Sequence, residues 1–175
     1  MWGLTLETAL DRSDLLAEPV VAAIRAWKND GLFRVAEIDP ELADTAAFCE
    51  RYAVPLDVSA NCVIVAAKRG GDVRFAACVV LATTRADVNG VVRKHLDARK
   101  ASFAPQDHAV AETAMEYGGI TPFGLPSDWP VLVDMAVTEQ PYVVVGSGVR
   151  RSKLVVPGAA LAEIETAEVL PNLAR

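Results

Sequence analysis

Two unbroken apolar runs, Cys62–Ala67 and Phe75–Ala82, stand on either side of the charged stretch "KRGGD". Strict alternation of apolar and polar residues would mark a strand with one wet face. Continuous runs instead predict strands covered on both faces. Gly70-Gly71 at the centre of the charged stretch adds a hairpin signal, so the two runs are expected to be adjacent central strands. Upstream, Leu15, Leu16, Val20, Ala23, Ile24 and Trp27 recur near a 3.6-residue period. They predict a helix over Ser13–Lys28, with Ser13 as N-cap and "NDG" as stop. Leu32–Ile38 reads as a weak strand, and Pro40 after Asp39 opens a second helix to about Tyr52.

Downstream of the hairpin, Asp87 is placed to cap a helix through Val91, Val92 and Leu96. "KASFA" is a short strand, and Pro105 precedes a helix over Gln106–Tyr117. Strands follow at Val131–Met135, Tyr142–Val145 and Lys153–Val156, then a short helix from Pro157 and a last strand near Ala167–Leu170. No repeat, low-complexity segment or linker interrupts this order. The expected class is α/β (α+β): one compact domain over residues 1–175, with a mixed, mostly antiparallel sheet and helices packed around it.

Composition narrows the function classes. With 52% apolar and 23% charged residues, the 175-residue chain has the make-up of a folded globular domain. Phe75–Ala82, its longest apolar run, is far below the ~18 residues that span a bilayer. The start "MWGLTLETALDRSD" carries Glu7 and Asp11 and no basic segment, so neither a signal peptide nor a membrane partner is expected, and the location is expected to be cytoplasmic. A net charge of −6 argues against a general nucleic-acid binder and against DNA as a partner. It leaves two local basic patches, Arg93–Lys100 and Arg150–Lys153. Cys49, Cys62 and Cys78 lack any paired spacing and read as small buried apolar residues.

Common catalytic signatures fail at particular positions. "VGSGV" has Val145 where a nucleophile elbow needs glycine, and "GSGVRR" has Arg151 where a dinucleotide fingerprint needs its third. His108, Glu112 and Glu116 share a helical face at i, i+4 and i+8 but have no second ligand helix. They read as a charged surface, and neither metal nor cofactor is expected. The unusual segment is "GGITPFGLP", Gly118–Pro126. Its glycines and prolines suit neither helix nor strand, yet it carries Ile120, Phe123 and Leu125, which a solvated linker would not need.

The order of pieces is informative where single motifs are not. "YAVPLDVSANCVIVAAKRGG", "FAACVVLATTRADVNGVVRKHLDARKASFA", "ETAMEYGGITPFGLPSDWPVLVD" and "VGSGVRR" follow one another over roughly Asp44–Leu161. In that order they resemble the YbaK/prolyl-tRNA-synthetase-associated editing domain family. The resemblance implies an aminoacyl-tRNA deacylase that hydrolyses the ester of mischarged tRNA in trans, chiefly tRNA for proline carrying alanine or cysteine. The implied partners are the acceptor end of that tRNA and, by association, an aminoacyl-tRNA synthetase. Such an ester is already activated, so positioning and an oxyanion site matter more than a strong nucleophile. In the family the substrate's own ribose hydroxyl is thought to assist the attacking water.

The resemblance also implies site residues. Gly118 and Gly119 are expected to bring backbone N–H groups to the carbonyl, so that Gly119→Ala abolishes deacylation with the fold intact. Asn61, Thr121, Pro122, Phe123, Gly124, Ser147 and Gly148 are expected to form the substrate pocket. Arg85, Arg93, Lys94, Lys100, Arg150 and Arg151 are the candidate tRNA contacts. One position departs from the pattern. The family's lysine, expected to meet the terminal phosphate or adenosine, falls on Asn61, which can donate a hydrogen bond but carries no charge. Lys68 lies an odd number of positions away and faces the other side of an unbroken strand. The alternative is therefore a non-catalytic aminoacyl- or nucleotide-binding module of the same fold.

Overall fold

The computed structural model describes Met1–Arg175. In chain order its strands and helices are β1 (Glu7–Thr8), α1 (Glu18–Arg25), β2 (Arg34–Glu37), α2 (Thr45–Tyr52), β3 (Ala60–Arg69), β4 (Asp72–Leu81) and α3 (Arg93–His95). They continue with β5 (Lys100–Phe103), α4 (Gln106–Thr113), β6 (Val131–Asp134), α5 (Met135–Thr138), β7 (Val143–Gly146), β8 (Ser152–Val156) and β9 (Ala167–Leu170).

β3 and β4 pair antiparallel from Ala60↔Leu81 to Arg69↔Asp72 around the Gly70-Gly71 turn. Both are internal in a five-stranded sheet of order β5-β3-β4-β6-β9, in which β4–β6 and β6–β9 are parallel. Their continuous apolar runs follow from burial on both faces. Ile64, Ala77 and Val79 join the main core, while Val65, Cys78 and Val80 join a second cluster with Val92 and Leu132. The remaining strands form a smaller antiparallel sheet, β1-β2-β8-β7. The mixed, mostly antiparallel pairing is thus divided between two sheets. The main core lies between them, and an isolated parallel bridge, Ser59↔Val144, ties β7 to the start of β3.

Several helices are shorter than their periodicity implies, each for a local reason. The helix predicted from Ser13 begins at Glu18, after a 3-10 segment over Ala9–Leu15. Pro19 has no N–H with which to bond the Leu15 carbonyl, and that carbonyl accepts instead from the buried Ser152 hydroxyl at 2.6 Å. The helix predicted from Pro40 splits into a 3-10 turn, Pro40–Leu42, and α2. Between them Asp44 is extended, and the Ala43 carbonyl accepts from Lys153 Nζ at 3.0 Å. The helix predicted to reach Tyr117 stops at Thr113, because Ala114 turns left-handed at φ 54. Asp87 does cap its segment, accepting from the N–H groups of Gly90 and Val91, but Val88–Val92 winds as a π-turn ahead of α3.

Candidate active-site cleft

A cleft of about 440 Å³ opens where the two sheets meet. The first half of β3, Ala60–Ile64, lines one side. Ala43–Thr45, Gly118, Ile120, Gly146 and Lys153 line the others. Phe103 and Tyr117 also border it and are 63% and 54% exposed, so two aromatic faces stand at its rim.

The glycine loop is locked against the β7–β8 turn. Gly148 N–H donates to the Gly119 carbonyl at 2.7 Å, and Glu116 N–H donates to the Gly148 carbonyl at 2.8 Å. A Cβ on Gly119 would fall 2.7 Å from the Val149 backbone carbonyl, too close for rigid backbone to yield. Gly119 is therefore glycine for packing. Its N–H already donates to the Glu116 carbonyl at 3.0 Å, so the expectation that it donates to substrate is corrected. So is the expectation that Gly119→Ala would leave the fold intact. Gly118 differs. Its φ is +83, it borders the cleft, and its N–H has no partner within the chain; the same holds for the N–H of Ile120. Arg150 holds this corner by donating to the Tyr117 carbonyl at 3.2 Å and the Pro40 carbonyl at 3.1 Å.

Three polar side chains face the other part of the cleft. Asn61 Oδ1 accepts from the Thr45 hydroxyl at 2.7 Å, which fixes the amide and leaves its NH2 group without a partner in the chain. Lys153 is only 8% exposed, with Nζ 5.4 Å from the centre of the Phe48 ring. Burial pulls its pKa down to about 8; the pull is opposed by Cys49 and Asp44 and assisted by Arg150. Cys62 also lines the cleft, but burial, with a smaller contribution from Cys78, pushes its thiol well up. It is a wall rather than a thiolate nucleophile.

Other expected site residues lie elsewhere. Thr121 and Phe123 are buried, and Phe123 packs edge-on against Phe33 and Trp27 at centroid distances of 4.9 and 5.6 Å. Pro122, Phe123 and Gly124 border a separate cleft with Trp27 and Glu163–Thr166. Ser147 is buried in a hydroxyl pair with Ser152 at 2.7 Å, and a Cβ on Gly148 would collide with Ala17. These five residues and Gly148 hold the loops onto the core and do not line the main cleft. Arg93 donates to the Asn89 carbonyl, Arg151 to the Asp14 carbonyl, and Arg85 pairs through its backbone with Arg175. Lys100 pairs with Lys68, four positions beyond Ile64 on β3 and so roughly 13 Å along the strand. Of the two basic patches, only Arg150–Lys153 reaches the cleft. The suggested His108–Glu116 face is broken as well, because Glu116 lies past the end of α4 and accepts from Arg150 N–H.

Sequence reasoning missed Ile120 as an N–H donor, Thr45 as the orienter of Asn61, and the rim aromatics. It placed Lys153 in a surface patch. The available signal was its position inside "SKLVV", where a strand buried on both faces carries one lysine inward.

These features agree with comparisons to known proteins. The family model described as the aminoacyl-tRNA editing domain matches residues 39–164, most of the chain. The chain belongs to that family. No curated protein matches it in sequence. Among solved structures, one described as a candidate trans-editing enzyme for prolyl tRNA synthetase superposes with a TM-score of 0.74 at 17% identity, over 89% of this chain and 94% of that one. A hypothetical protein superposes with a TM-score of 0.72 at 20% identity, over 82% and 91%. A scaffold used for epitope backbone grafting gives 0.74 at 17%, over 89% and 95%. At these identities the likeness shows a shared fold. No helix is long and apolar enough to cross a membrane.

Proposed function

We propose that this chain is an aminoacyl-tRNA deacylase that clears mischarged tRNA in trans, and that the cleft between its sheets holds the scissile ester. The observation that carries this reading is the pair of unpartnered N–H groups, Gly118 and Ile120, on a loop locked to the β7–β8 turn. Donors already fixed in place can stabilise the oxyanion that forms when water attacks the ester carbonyl, with little reorganisation. The same cleft offers no thiolate, which suits an activated ester attacked by water.

Size supports a small substrate side chain. Ala60, Cys62 and Ile64 line one wall of the cleft, and the proposed amino-acid pocket lies against that wall, admitting alanine or cysteine and rejecting bulkier residues sterically. Tyr117 and Phe103 at the rim give the terminal bases of the acceptor end faces on which to stack. The tRNA for proline is the proposed carrier, and a synthetase the proposed neighbour, in keeping with the family. The test is single-turnover release of amino acid from a panel of mischarged tRNAs. Release of small residues from tRNA for proline, with cognate prolyl-tRNA spared, is expected. Binding of the panel without release from any member would favour the non-catalytic module.

A further inference from the structure

We propose that Lys153 is the anion subsite of the cleft and takes a phosphodiester of the tRNA acceptor end. This rests on the deacylase reading only in naming tRNA as the source of the phosphate.

An ammonium group carries three N–H donors. Lys153 uses one, on the Ala43 carbonyl, and lies against the Phe48 ring. No carboxylate of the chain forms an ion pair with it. A buried cation without a counter-ion is costly, and at a position flanked by Ser152 and Leu154 an apolar side chain would avoid that cost. The direction of the side chain follows from strand parity. Leu154 and Val156 turn into the main core, while Val155 turns the other way, into the cluster with Phe48 and Cys49. Lys153 shares that second face, and its side chain reaches the cleft. There it joins the free Asn61 amide, and an entering anion would find donors from two different sheets.

The substrate's chemistry limits which anion that is. In an aminoacyl ester the amino acid's carboxyl group is esterified, so the only anions near the ribose are phosphodiesters. The α-amino group is a cation, which Lys153 repels. The charge of Lys153 therefore both holds the phosphate and orients the amino acid away from it, toward Gly118 and Ile120.

The test uses adenosine 5′-monophosphate and adenosine as probes, with binding measured by calorimetry at several salt concentrations. The parent protein is expected to prefer the monophosphate. Lys153→Met should lose that preference by about tenfold or more and lower the salt slope by about one contact. Replacing a buried cation by an apolar side chain of similar length is commonly tolerated, and thermal unfolding will verify that it is here. The double variant Asn61→Lys/Lys153→Met returns a cation to the same cleft from β3 and should restore the preference. Equal binding of the two probes by the parent would overturn the proposal. So would an unchanged preference and salt slope in Lys153→Met. Because the probes contain no ester, these results are independent of deacylation. If no mischarged tRNA is hydrolysed but Lys153→Met loses the monophosphate preference, the enzyme reading falls and the anion subsite stands.

Discussion

Alanine at Gly118 and alanine at Gly70 should destabilise the protein by similar amounts and differ greatly in rate. Both glycines have positive φ, +83 and +61. Forcing alanine into that region costs about 1–2 kcal/mol at either place. At Gly70 nothing lies within 4 Å of the added Cβ. At Gly118 the Cβ meets the Arg150 guanidinium, a flexible group that can move by giving up its bond to the Tyr117 carbonyl. The bond to the Pro40 carbonyl remains, so the added cost is about 1 kcal/mol. Urea denaturation should therefore place the two variants within roughly 1 kcal/mol of each other. The rates should separate if the proposed oxyanion role holds, because the strain at Gly118 tilts the peptide plane that carries its unpartnered N–H at the cleft. Losing one oxyanion donor typically lowers kcat by ~10²–10³. The assay is single-turnover release of alanine from mischarged tRNA at saturating enzyme. If Gly118→Ala hydrolyses as fast as Gly70→Ala, the Gly118 N–H takes no part in the reaction and the loop is only a turn.

Further outcomes can be measured on the same protein. Phe103→Ala and Tyr117→Ala should each weaken binding of the acceptor end by ~1–3 kcal/mol per stacked base and leave thermal stability nearly unchanged, since both rings are exposed; equilibrium binding of uncharged tRNA reads this directly. Ser152→Ala removes the hydroxyl that bonds the Leu15 carbonyl and Ser147, and should cost ~1–3 kcal/mol in urea denaturation. Lys153 gives a pH signature whose sign is set by its lowered pKa. Between about 8 in the folded protein and 10.5 in the unfolded chain, the unfolded state holds more protons, so this group makes stability rise with pH across that window. Cys49, Asp44 and Arg150 are the ionisable groups that act on it. Parent minus Lys153→Met stability, measured from pH 7 to 10.5, should therefore increase, and a flat difference would mean that the lysine is not held buried as a cation. Monophosphate binding should fall over the same range as the ammonium loses its proton.

How much of this was legible in the sequence depended on whether each signal was local. The β3–β4 hairpin was readable because burial on both faces leaves no polar gaps and Gly70-Gly71 supplies the turn. β9 was readable at its full length, Ala167–Leu170. Helix starts at Ser13 and Pro40 were misplaced because distant groups, Ser152 and Lys153, take the carbonyls that a helix would have used. Division into two sheets leaves no mark in any one strand, and the two residues of β1 are too few to carry a period. At the site, family order led to Asn61 and Gly118, which do line one cleft. It gave pocket roles to Phe123 and Ser147, which pack inside, because a motif records which residues occur together and not which way each one faces.

In the proposed mechanism, the cleft bordered by Gly118, Ile120, Asn61 and Lys153 holds the scissile ester. The most direct measurement is a backbone amide NMR titration with 3′-alanylamido-adenosine 5′-monophosphate, in which an amide replaces the labile ester. The largest shifts are expected at Gly118, Ile120 and Asn61, with smaller ones at Tyr117 and Phe103. Shifts centred instead on Trp27 and Phe123–Ser127, around the second cleft, would contradict it.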